Sequence, residues 1–86
     1  MSIEARKFSQ IFWSAPVNVR AGNGFSEPIF GPVAAVEYLK HRWPTTNSPQ
    51  YLSALRICAA AVERKESPDF ASDAFIAASI EAAMLA

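Results

Sequence analysis

The chain holds one cysteine, one histidine and three glycines in 86 residues, and its eight Lys and Arg side chains balance eight Asp and Glu. Each shortage removes a class of function. A lone Cys58 can form neither an internal disulfide nor a cysteine-cluster metal site, so the cytoplasm is the expected compartment. Gly22-Asn23-Gly24 is too short to cradle a phosphate and opens onto a strand pattern rather than a helix, so it reads as a turn. Zero net charge argues against a protein that grips nucleic acid through its phosphates, because that affinity scales with the number of phosphates neutralised. No run reaches the ~18 apolar residues needed to cross a bilayer, and no apolar core of signal-peptide length follows Met1 to Lys7, so neither membrane insertion nor secretion is expected. The zinc-protease, nucleophile-elbow, Walker and dinucleotide-binding patterns are missing, and the acids are not spaced as a catalytic dyad. The sequence therefore predicts no catalytic residue, no metal ligand set and no cofactor.

What the chain does have is apolar surface. Hydrophobic residues make up 51%. A chain of this length supports one domain that buries roughly 60% of its unfolded surface. Residues 1–11 read as a flexible lead-in whose Phe8, Ile11 and Phe12 could dock, and residues 12–86 as a single α+β domain. Pro16 to Arg20 alternates apolar and polar residues, Ala21 to Gly24 supplies a turn, and Phe25 to Phe30 can return as a second strand. Pro28 cannot donate to a ladder, so this second strand is expected to be an edge, bulged or short.

Three helical patterns follow. Pro32 to about Arg42 groups Val36, Leu39 and Trp43, and ends where Trp43 precedes Pro44. Ser48-Pro49 then marks a second start, since a serine oxygen can accept a free N–H of the first turn and proline has none to leave orphaned. Its apolar face centres on Tyr51, Leu55, Cys58 and Val62, and its end is expected near Lys65 or Glu66. Ser67-Pro68-Asp69 repeats the start, predicting a third helix to about Met84 with two apolar stripes, one through Phe70, Ala71, Ala74, Phe75, Ala78 and Ala82 and one through Ile76, Ile80, Ala83 and Met84. The predicted fold is α+β: a two-stranded antiparallel β-hairpin followed by three α-helices packed on it.

Candidate chemistry is sparse. Cys58 sits mid-face on the second helix, where a thiol packs as a small hydrophobe. His41, with Glu37 one turn earlier on the polar face, could centre a small enzyme or ligand site, but such a pair is more often a solvated contact. Arg20, Lys40, His41 and Arg42 form a weak nucleic-acid candidate, opposed by the core-facing position of Trp43. Association is the strongest expectation. Trp13, Phe25, Phe30, Ile76, Ile80 and Met84 exceed what a hairpin and three helices hide, and a homodimer through the hairpin edge or the third helix would cover them. Residues 1–56 carry six bases against three acids, while residues 57–86 carry two against five, a polarity that could favour head-to-tail or reciprocal self-association but is more often simply solvated charge.

The succession Trp13, Pro16-Val17, Val19, a turn glycine, Ile29, Leu39, Trp43-Pro44, Tyr51, Ala54, Cys58, Phe75-Ile76 and Ala78 resembles a family of small bacterial proteins catalogued as domain of unknown function nine-eight-two, over roughly residues 12–83. This sequence departs from that pattern at Ser48, where glycine is common, and at Arg64-Lys65, where a short glycine turn is common. The resemblance implies a compact α+β fold in a bacterial cytoplasmic protein, and it transfers no reaction, ligand or catalytic residue.

Overall fold

A computed structural model describes residues 11–86 apart from 22, 23 and 45. The lead-in before residue 11, Phe8 included, and the Gly22-Asn23 centre of the turn lie outside the described residues. The order of elements is β1 (Val17–Val19), β2 (Glu27–Ile29), α1 (Pro32–Arg42), α2 (Pro49–Val62) and α3 (Pro68–Glu81). This is the predicted hairpin and three helices.

β1 and β2 pair antiparallel, with Val17 opposite Ile29, Asn18 opposite Pro28 and Val19 opposite Glu27. Val17 and Val19 face the core while Asn18 is exposed, the alternation that period two demands. The other side of β1 is occupied as well. The Arg20 N–H donates to Met84 O at 2.8 Å, the Ala86 N–H donates to Asn18 O at 2.9 Å, and Val19 bridges Leu85. Backbone groups alternate sides along a strand, so Asn18 and Arg20 serve this C-terminal segment while Val17 and Val19 serve β2. Pro28, opposite Asn18, therefore turns its missing N–H away from β1, and β2 is the edge expected for it. Beyond it, the Trp13 N–H donates to Phe30 O at 2.7 Å, so the segment entering β1 covers the far end of that edge.

Local chemistry sets the helix starts. Pro32, Pro49 and Pro68 each open a helix, and the Ser48 and Ser67 hydroxyls accept the Tyr51 and Phe70 N–H groups at 3.2 and 2.9 Å. The ends of α2 and α3 come sooner than periodicity predicts. Arg64 and Ala83 take left-handed conformations, φ 62° and 59°. In each case two bonds close the turn: Lys65 N–H to Ala60 O at 2.8 Å with Arg64 N–H to Ala61 O at 3.0 Å, and Met84 N–H to Ser79 O at 2.8 Å with Ala83 N–H to Ile80 O at 3.0 Å. These are paired 6→1 and 5→2 closures that satisfy carbonyls the helix leaves free. α2 stops at Val62 rather than near Lys65 or Glu66, and α3 at Glu81 rather than about Met84.

α2 packs against both other helices, most extensively α3. It buries Tyr51, Ala54, Ile57, Cys58 and Ala61, while Leu52 and Val62 are exposed. The buried arc is thus turned from the predicted centre toward the alanines, because small side chains let two neighbouring helices approach. Trp43, at the end of α1, anchors the aromatic core, its ring centroid 5.6 Å from Phe75, 6.1 Å from Tyr38 and 6.4 Å from Tyr51, with Trp13 5.8 Å from Phe75 on the other side. The Tyr51 hydroxyl donates to Leu39 O at 3.0 Å, tying α2 to α1. Among the described residues no helix is long and apolar enough to cross a membrane.

Candidate functional site

β2 and α1 enclose a surface groove of about 360 Å³, lined by Glu27, Pro28 and Ile29 from the strand and by Ala34, Glu37, Tyr38, His41 and Arg42 from the helix. The helical members Ala34, Glu37, Tyr38 and His41 fall three and four apart and so share one face. Arg42 closes one end. Its Nη1 donates to Glu27 Oε1 at 2.7 Å, and its guanidinium carbon lies 4.5 Å from the Tyr38 ring centroid. His41 Nε2 lies 3.4 Å from Glu37 Oε1, and both side chains are about two-thirds exposed, at 67% and 66%. Water therefore reaches both groups of the pair. The arrangement can hold a small polar molecule loosely against an apolar floor, but it supplies no dry environment in which an acid and a base would be set apart.

The basic candidates Arg20, Lys40, His41 and Arg42 are all exposed. Arg42 is already committed to Glu27 and Tyr38, which leaves its charge largely satisfied within the fold. Among the described residues, no three His, Cys, Asp or Glu side chains gather as a metal site.

Cys58 is fully buried, its thiol 3.6 Å from Ala71 O, and burial pushes its pKa up to about 12. A shift from 9.0 to about 12 lowers the thiolate fraction at neutral pH roughly a thousandfold. Native protein should therefore stay silent to a thiol reagent at pH 8 and react with one equivalent only on unfolding. Because the folded value lies above the unfolded one, the contribution of this burial to stability is complete below pH 9.0 and is lost as pH rises toward about 12. A native thiol that reacts as fast as the denatured chain would refute the core assignment.

The six residues expected at an interface divide. Trp13 and Met84 are buried, at 7% and 3% exposure, Ile76 is half-buried, and Phe25, Phe30 and Ile80 are exposed. Phe12 and Phe70 join the exposed set, which periodicity alone did not single out. Sequence reasoning also missed the Glu27–Arg42 pair, since a strand-to-helix contact across 15 residues leaves no local periodic trace.

A short ribbon packed against α3, three helices around a core built on Trp43, and a surface groove between β2 and α1 define a small α+β domain. The chain belongs to the family described as "Protein of unknown function (DUF982)", whose model matches residues 15–86, as the resemblance from Trp13 to Ala78 implies. It is similar in structure to Agrobacterium tumefaciens protein Atu1219, solved by NMR, with 32% sequence identity and a TM-score of 0.75 over 88% of this chain and 76% of that one. No curated protein matches.

Proposed function

We propose that this protein is a non-enzymatic interaction module of the bacterial cytoplasm that pairs with a second copy of itself. One observation carries the reading: of the five phenylalanines among the described residues, only Phe75 is buried, while Phe12, Phe25, Phe30 and Phe70 are 64, 99, 49 and 48% exposed. Large apolar surface held in water is a standing cost that association removes. Charge suits a twofold pairing, because the exposed bases Arg20, just after β1, and Lys40, on α1, complement the exposed acids Asp69, Asp73 and Glu81 on α3. The buried, uncoupled thiol of Cys58 fits a reducing compartment, and the likeness to an Agrobacterium protein supports a bacterial setting.

Sedimentation equilibrium tests it. The chain should dimerise, and Phe25→Ser or Phe30→Ser should weaken the dimer about tenfold or more, as expected for a buried phenylalanine. A monomer at millimolar concentration would refute the reading. The groove beside Glu37 and His41 favours a second reading, a small-ligand binder, for which His41→Ala should abolish chemical-shift changes caused by the ligand at Glu37 and Tyr38.

A further inference from the structure

Residues 82–86 read Ala-Ala-Met-Leu-Ala, five strong helix formers that directly follow the 14 residues of α3. They are nevertheless not helical. Ala83 adopts φ 59°, where the Cβ of an L-residue crowds the following carbonyl, and the chain folds back to lay Met84 to Ala86 along β1. Two hydrogen bonds, from Arg20 N–H to Met84 O and from Ala86 N–H to Asn18 O, and the buried Met84 side chain hold it there. Local preference and tertiary position therefore oppose each other, a conflict that marks a segment with two available arrangements. The hinge is also open on one side, where Ala82, Ala83 and Met84 border a hollow of about 310 Å³ with Ala21, Arg42 and Pro44.

We infer that Met84–Ala86 is an exchangeable edge strand, and that its seat on β1 receives the same segment from a second copy of this chain. The inference rests on the self-association reading for the second copy and names the element that passes between the two. Its partner is argued from complementarity, because the segment from another copy reproduces each contact of the chain's own, including Met84 in the core. Only the hinge differs. When Ala83 takes a right-handed conformation, the tail leads away from its own β1, and the left-handed strain is relieved in both copies while every strand bond is kept.

Three variants test the exchange. Ala83→Gly removes the penalty on the folded-back form and should weaken the dimer about fivefold or more in sedimentation equilibrium. Ala83→Pro fixes φ near −65° and removes the N–H given to Ile80 O, so it should dimerise at concentrations where the parent is monomeric. In Asn18→Cys/Ala86→Cys, the two exposed positions face each other across the bridge, and oxidation of the dimer should link chain to chain on a denaturing, non-reducing gel. A dimer whose disulfides form within each chain overturns the exchange and leaves self-association standing. Monomer at every concentration, with the disulfide within the chain, overturns both. Should Ala83→Pro fail to fold, the cysteine pair alone decides.

Discussion

Phe75→Ala should lower the free energy of unfolding by about 4 kcal/mol, whereas Phe70→Ala, five residues earlier on the same helix, should cost less than about 1 kcal/mol. Phe75 has no exposed surface and sits between Trp13 and Trp43, at centroid distances of 5.8 and 5.6 Å, so truncation removes both ring contacts and leaves a void that neither indole can close. Phe70 is half in water and already forgoes much of that burial. A domain of this length typically holds roughly 4–13 kcal/mol in total, so the first variant approaches the threshold for folding and the second does not. Urea titration followed by tryptophan fluorescence reads both. Equal losses at the two positions would show that the aromatic core is misassigned.

Gly31→Ala should cost about 3 kcal/mol, an unusually large loss for the addition of one methyl group. The backbone conformation is not the cause, because φ −179° and ψ −177° are extended and open to alanine. The cause is space: a Cβ at this position would lie 2.2 Å from the Ile11 carbonyl oxygen and 3.2 Å from the Phe12 Cα. Both obstacles are backbone and cannot swing aside, so the segment that carries Trp13 must lift from the end of β2. The expected signature is twofold: a drop in stability by urea titration, and a shifted Trp13 indole resonance while that of Trp43 stays in place. A variant as stable as the parent, with both indoles unmoved, would mean that Ile11 to Trp13 do not lie against Gly31.

Signals that act within one turn were legible in the sequence. The serine-proline pairs at 48–49 and 67–68 placed two helix starts, Trp43-Pro44 placed one end, and Pro28 marked the edge strand, because each rests on a backbone group within a few residues. What escaped depends on partners distant in the chain. The buried face of α2 is chosen by α1 and α3 together, so the large apolar residues Leu52 and Val62 lose to Ala54 and Ala61, which fit between closely spaced helices. The end of α3 is chosen by β1, more than 60 residues away, and local propensity pointed the opposite way. Trp13 and Met84, counted as surplus on the surface, are absorbed into the core by those same distant pairings. In the groove, Glu37 and His41 could be paired by their spacing, but Glu27 and the ring of Tyr38 emerged only once β2 lay beside α1.

The outward position of Pro28 also limits how far any growth of the ribbon can go. A further strand arriving beside β2 would meet a residue with no proton to offer and, at the far end, a carbonyl already taken by Trp13. Sideways growth stops there, so the ribbon is terminated against open-ended stacking into fibres.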